Sequence, residues 1–314
     1  MELKPIPTRD GFGEEITALG RVNKNIVVLS GDLEDATRAE YFKKEFPERF
    51  FNLGIAEQDV IGTAAGLSTQ GFVVFATSFA VFLTNRAYDM IRLDICYNNT
   101  NVKLVCSHGG VTVGEDGASA QCLEDFAIMR VLPNMRVICP MDYWEAKKAT
   151  RAITNTTGPF YMRTSRAPLP VLTKESDLFE IGKANVMRKG TDATVIACGV
   201  MVSEALAAAE KLKAEGIDLK VVNMHTIKPI DVQAIVDSVK ETGAMVTAEE
   251  HQIFGGLGSA VAEAVAQHCP CPLEMVAVKD SFGESGTPAQ LLAHYGLKDM
   301  NIIEAVKKVI RRKK

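Results

Sequence analysis

The stretch N-L-G-I-A-E-Q, residues 52–58, joins an apolar run at 50–53 to the small-residue segment D-V-I-G-T-A-A-G-L at 59–67. The first run predicts a buried strand and the second a closely packed helix, with Gly62 and Gly66 at the contact. Glu57 then lies at the carboxyl edge of a strand, where open α/β sheets bind their ligands. It could stabilise the helix dipole, or it could hydrogen-bond a ring nitrogen of a heteroaromatic cofactor.

Apolar strand patterns alternate with helical patterns along the whole chain. The predicted strands are mostly continuous apolar runs, which are typical of a parallel sheet covered on both faces. Further strands are predicted at 26–29, 72–76, 103–106, 136–139, 160–163, 194–198, 219–223, 244–249 and 273–278. Helices are predicted at 11–22, 59–70, 79–96, 124–131, 143–154, 202–215, 231–241, 257–267 and 288–295.

The rhythm is interrupted after residue 164 by prolines and a charged segment at 174–177. This predicts two α/β domains with mainly parallel sheets, at 1–170 and 191–314, joined by a linker at 171–190.

Composition excludes several classes of protein. Apolar residues make up 47% of the 314 residues and charged residues 24%, and the net charge of −4 gives no general attraction to nucleic acid. We expect no membrane span, no signal peptide and a cytoplasmic location. Seven cysteines without a CxxC pair argue against a structural metal or a disulfide framework.

A second polar segment follows the predicted strand 103–106. It reads S-H-G-G-V-T-V-G-E-D-G (107–117) and carries His108, Glu115 and Asp116. Its glycine spacing fits neither a dinucleotide-binding fingerprint nor a P-loop. Loops after strands commonly carry function. Arg166, just after the predicted strand 160–163, and Arg9 are arginines of the kind that clamp phosphates.

In this order, G-I-A-E-Q, the aromatic helix with Phe79 and Phe82, S-H-G-G-V-T-V-G-E-D-G and L-P-N-M-R-V-I-C-P-M-D resemble the pyrimidine-binding domain of transketolases. The motifs H-T-I-K-P-I-D and E-E-H-Q-I-F-G-G-L-G-S-A-V resemble their C-terminal domain. The resemblance extends over essentially the whole chain. It implies transfer of a two-carbon ketol unit between a ketose phosphate and an aldose phosphate, with thiamine diphosphate as cofactor.

The resemblance also assigns roles to residues. Glu57 matches the glutamate that shares a proton with the cofactor's aminopyrimidine and so activates its thiazolium carbon. The other implied cofactor contacts are Ile55, Phe79, Phe82 and Asp32. The implied substrate contacts are Arg9, His108 and Arg166 on the phosphate, Asp116 on a hydroxyl, and Arg86; His108 is also assigned to catalysis.

Transketolases of full length carry a G-D-G motif that holds the diphosphate and its metal; this sequence has no such motif, and there is no room for one before residue 10. The resemblance therefore implies the C-terminal subunit of a split enzyme. An N-terminal partner would hold the diphosphate with Mg²⁺ or Ca²⁺, and two copies of each chain would form a heterotetramer.

Some residues depart from the family pattern. Ala120 stands where a substrate-contacting histidine is expected, and a phosphate-binding serine is replaced near Ala36. The segment F-L-T-N-R-A-Y-D is nearer to deoxyxylulose-phosphate synthases. That enzyme, the beta subunit of a 2-oxoacid dehydrogenase and an inactive regulatory subunit are the alternatives.

Overall fold

The computed structural model describes residues 4–313, which form two mainly parallel α/β sheets. In chain order the strands are β1 (Ile26–Ser30), β2 (Phe50–Asn52), β3 (Val73–Phe79), β4 (Val102–Ser107), β5 (Arg136–Ile138), β6 (Phe160–Thr164), β7 (Asn185–Arg188), β8 (Ala193–Ala197), β9 (Leu219–Asn223), β10 (Thr226–Lys228), β11 (Met245–Gln252) and β12 (Leu273–Val278).

Helices flank both sheets. In chain order they are α1 (Thr8–Val22), α2 (Glu34–Thr37), α3 (Glu40–Glu45), α4 (Glu57–Thr69), α5 (Ala80–Arg86), α6 (Tyr88–Met90), α7 (Asp125–Arg130), α8 (Tyr143–Thr154), α9 (Met201–Ala214), α10 (Val232–Thr242), α11 (Leu257–His268), α12 (Pro288–His294) and α13 (Asp299–Arg311). Pro47–Arg49 and Val111–Asp116 form 3₁₀ turns, and Ile91–Tyr97 forms a π-helix.

The first sheet has the strand order β10-β5-β6-β4-β3-β1-β2, and all of its pairs except β10–β5 are parallel. Strands β1, β4 and β6 are buried along their full length, as continuous apolar runs require when helices cover both faces. The predicted fold class is confirmed.

The second sheet has the order β12-β11-β8-β9-β7, with β7 antiparallel to β9. Residues 171–190 were predicted to be a linker. Part of this segment forms strand β7, which pairs with β9 at the edge of the second sheet. Strand β10 belongs by sequence to the second unit but pairs with β5 of the first, so one sheet contains strands from both parts of the chain.

Two local predictions are wrong. The predicted helix 79–96 is broken: β3 continues to Phe79, and the helix that follows ends at Arg86 before α6 and the π-helix. The close packing expected at Gly62 and Gly66 is absent within the described chain, since a methyl group on either would meet no atom within 4 Å. That face of α4 is exposed.

No helix among residues 4–313 is long and apolar enough to cross a membrane.

Candidate active site

Glu57 lies where the sequence predicts, at the first turn of α4 and just beyond the end of β2. Its side chain is 4% exposed, and its Oε1 accepts a hydrogen bond of 2.8 Å from Arg86 Nη1. Arg86 reaches Glu57 from the end of α5, which follows β3, the next strand along the chain. The buried carboxylate therefore has a cationic partner, which offsets the cost of removing it from water.

Four flat groups form a column that leads away from Glu57. The guanidinium of Arg86 lies 4.2 Å from the ring centroid of Phe82, and Phe82 stacks on Phe79 with centroids 5.5 Å apart. Phe79 in turn stacks on the imidazole of His108 at 3.7 Å. The structure thus brings together residues from α4, α5, β3 and the loop after β4, as parallel strands ending at one edge require.

His108 is buried and has a left-handed backbone conformation, with φ of +63°. Its Nδ1 lies 2.7 Å from Ser107 Oγ. Burial, together with the positive charges of Arg9, Arg166 and Arg38, lowers the pKa of His108 to about 3. The imidazole is therefore neutral near pH 7, and when Ser107 donates to Nδ1 its Nε2 carries a proton that it can donate.

Basic groups gather on the His108 side of the column. Arg166 donates to Val113 O at 2.6 Å, and its Nη2 lies 3.9 Å from Asp116 Oδ1. Arg9 donates to Ala36 O at 2.7 Å, while its Nε is buried without a hydrogen-bond partner among the described residues. These groups can bind an anionic substrate group.

Arg38 also belongs to the basic group, although it was not predicted from the sequence. Its Nε donates to Asp10 Oδ1 at 2.7 Å, and its charge lowers the pKa values of both Arg9 and His108. The sequence offers little signal for this role, because an arginine between two short helices resembles any surface arginine.

The C-terminal half of the chain holds the loop that carries His108 and Asp116. Glu250 of β11 accepts a hydrogen bond of 2.9 Å from Thr112 Oγ1, and a methyl group on Gly110 would lie 1.6 Å from Glu250 Oε1. Gln121 donates to Glu284 O at 2.9 Å. Burial raises the pKa of Glu250 to about 7. No local pattern in the sequence predicts these contacts, because each joins residues more than a hundred positions apart.

Two expected cofactor residues lie outside the column. Asp32 is exposed, and its Oδ1 accepts a hydrogen bond of 2.8 Å from Asn52 Nδ2. Ile55 is 75% exposed just before α4. Both side chains are exposed in this chain, so their roles as cofactor contacts stay predictions. Among residues 4–313, no three His, Cys, Asp or Glu side chains are grouped so as to hold a metal ion.

The residues that depart from the family pattern lie together. Ala120 packs in a small apolar cluster with Phe79 and Val113, and Ala36 packs against the same cluster. Where a histidine and a serine were expected, this wall of the site is apolar. The remaining polar contacts for a substrate come from the basic groups and Asp116.

Comparison with known proteins identifies the family. The model of the transketolase pyrimidine-binding domain matches residues 4–171, and that of the transketolase C-terminal domain matches residues 182–302. The chain belongs to the transketolase family. A protein of Methanocaldococcus jannaschii named "Putative transketolase C-terminal section" is 46% identical over 97% of this chain and 96% of its own length. The 6-deoxy-6-sulfo-D-fructose transketolase subunit SqwH of Clostridium sp. (strain MSTE9) is 40% identical over 97% and 95%.

A solved structure agrees with the sequence comparisons. It is described as "Split gene transketolase, inactive beta4 tetramer", is 44% identical and superimposes with a TM-score of 0.91 over 99% of this chain and all of its own. The chain is thus a C-terminal subunit of the transketolase type, and the predicted resemblance is confirmed.

Proposed function

We propose that this subunit transfers a two-carbon ketol unit between a ketose phosphate and an aldose phosphate, with thiamine diphosphate bound between it and an N-terminal partner. The observation that carries the proposal is the column from Glu57 to His108 with its adjoining basic groups. The Arg86 guanidinium shows that a flat group with an N–H fits against Phe82 and beside Glu57, and the Nε of Arg9, without a partner among the described residues, marks a place for an anion.

Each group has a distinct task in this proposal. Bound thiamine diphosphate supplies the carbon that accepts the ketol unit. Glu57 would share a proton with the pyrimidine ring and Phe82 would hold the ring by stacking, while Phe79 supports Phe82 from its other face. Neutral His108 donates a hydrogen bond from Nε2 to a substrate oxygen, because its low pKa prevents it from carrying a charge at pH 7.

The substrate would be bound at its two ends. Arg9 and Arg166 would bind the terminal phosphate, with Arg38 adding positive charge, and Asp116 would accept a hydrogen bond from a substrate hydroxyl. The relative SqwH is named for a sulfonated sugar, so related subunits differ in their substrates. The apolar wall formed by Ala36 and Ala120 is where we expect this chain to differ as well.

The diphosphate and its Mg²⁺ or Ca²⁺ are proposed to lie on the partner. The inactive state stated for the solved beta tetramer, which is similar to this chain, supports this division. We propose two copies of each chain per complex, with the exposed face of α4 and Ile55 covered in the assembly. Light scattering of the mixed subunits measures the mass of the complex. A mass equal to one copy of each chain would contradict the heterotetramer.

The activity is tested by reconstitution. Equimolar N-terminal subunit, thiamine diphosphate and Mg²⁺ should give ketol transfer from xylulose 5-phosphate to ribose 5-phosphate, and neither chain should be active alone. Glu57→Gln should lower kcat by about a hundredfold or more with the fold intact. Full activity of this variant would contradict the role of Glu57. Turnover of pyruvate instead of the ketose phosphate would indicate a different thiamine diphosphate enzyme.

A further inference from the structure

Arg86 makes two contacts through its planar guanidinium group. Its Nη1 donates to Glu57 Oε1 at 2.8 Å, and the centre of its planar guanidinium lies 4.2 Å from the centroid of Phe82. One flat group thus stacks on the aromatic ring and presents an N–H to the buried carboxylate. Guanidinium groups combine these two modes of contact more readily than other side chains do.

These are also the contacts that the proposed function gives to the aminopyrimidine ring: a face against Phe82 and a nitrogen at Glu57. We propose that the Arg86 guanidinium occupies the place of the pyrimidine in the cofactor-free chain and must leave it when the cofactor binds. The inference rests on the proposed function, because it needs a flat nitrogen heterocycle as the ligand at Glu57.

The burial of Glu57 and the exposure of Arg86 both favour the replacement of the Arg86 guanidinium by the pyrimidine ring. Glu57 is 4% exposed, and a carboxylate buried to that extent without a partner would be costly, so the cofactor-free chain needs Arg86. Arg86 itself is 48% exposed, so its charged group can return to water at small cost. Gln58 Nε2 donates to Arg86 O at 3.2 Å, which anchors the backbone while the side chain moves.

If Arg86 competes with the cofactor for one place, replacing Arg86 should change the affinity for the cofactor in a distinctive direction. A residue that binds the cofactor weakens binding when it is removed, whereas one that occupies the cofactor's place strengthens it. We expect Arg86→Ala to bind thiamine diphosphate about tenfold more tightly, equivalent to ~1.4 kcal/mol. The cofactor-free variant should melt at a lower temperature than wild type, because Glu57 loses its partner, and cofactor should raise its melting temperature by more.

The test uses isothermal titration of thiamine diphosphate with Mg²⁺ into the complex of this chain with its N-terminal subunit. Arg92→Ala is the matched control, since Arg92 is 58% exposed a few residues later in the chain and its one ion pair among the described residues is with Asp89, at 3.7 Å. The control should bind like wild type. Arg86→Gln, which also removes the charge, serves if the alanine variant does not assemble, and it should tighten binding too.

The outcomes separate the two proposals. Tighter binding by both Arg86 variants, with Arg92→Ala unchanged, supports the inference. Unchanged or weaker binding by the Arg86 variants, in a complex whose wild type binds cofactor, overturns the inference and leaves the proposed function standing. A wild-type complex that binds no thiamine diphosphate overturns both.

Discussion

Replacing Gly110 by alanine should disconnect the loop that carries His108 and Asp116 from the C-terminal half of the chain. Gly110 has φ of +85° and ψ of −178°, a conformation essentially restricted to glycine. A methyl group there would lie 1.6 Å from Glu250 Oε1. At that distance the Glu250 side chain must move, and it then loses its hydrogen bonds from the Thr112 hydroxyl and amide, which measure 2.9 and 3.4 Å.

The change in stability follows from three contributions. The strained backbone costs about 1–3 kcal/mol, and alanine recovers about 0.4–1 kcal/mol by restricting the unfolded chain. The lost hydrogen bonds to a buried carboxyl group add about 2–3 kcal/mol. Gly71→Ala is the matched control: Gly71 has φ of +89°, but a methyl group there meets no atom within 4 Å. The difference between the two variants therefore isolates the contribution of Glu250.

The assay is thermal unfolding of both variants, followed by circular dichroism at pH 6. We expect Gly110→Ala to melt about 4–12 °C below Gly71→Ala, at roughly 2–4 °C per kcal/mol for a chain of this size. The double variant Gly110→Ala/Glu250→Ala should lose less than the sum of the single variants, because the clash is gone. Equal melting temperatures for the two glycine variants, or strictly additive losses in the double variant, would refute the reasoning.

Three further predictions concern charge. Burial raises the pKa of Glu250 from 4.5 to about 7, so its contribution to stability is complete below pH 4.5 and is lost as the pH rises through 7. Wild type should therefore melt at a lower temperature at pH 8.5 than at pH 6, and Glu250→Gln should make this difference smaller. A difference as large in the variant as in wild type would contradict the role of Glu250. Arg163→Met should destabilise the chain by about 3–5 kcal/mol in urea unfolding, since it leaves buried Asp125 unpaired; a loss below about 1 kcal/mol would argue that the pair is dispensable. Arg166→Ala should raise KM for a phosphorylated acceptor about tenfold and leave KM for its unphosphorylated analogue unchanged; equal changes for both would remove the phosphate role.

Much of the scaffold could be predicted from local patterns. Continuous apolar runs predict buried parallel strands, and such strands end at a common edge, so the position of Glu57 follows from its place after one of them. The loop after β4 could be found for the same reason. The boundary at Phe79 was missed because V-V-F-A-T-S-F suits a strand and a helix start alike, and the pairing of β3 with β4 extends the strand.

The tertiary structure alone decided how the site is assembled. Glu250 and Thr112 are separated by 138 residues, and Glu57 and Arg86 by 29, and neither pair has a local signature. The amino-acid sequence by itself determined the two-sheet fold, the family and the edge of the sheet at which the site lies, because periodicity and motif order are local properties. The partner of the buried Glu57 carboxylate depends on which side chains meet when separate elements pack, and only the folded chain fixes that.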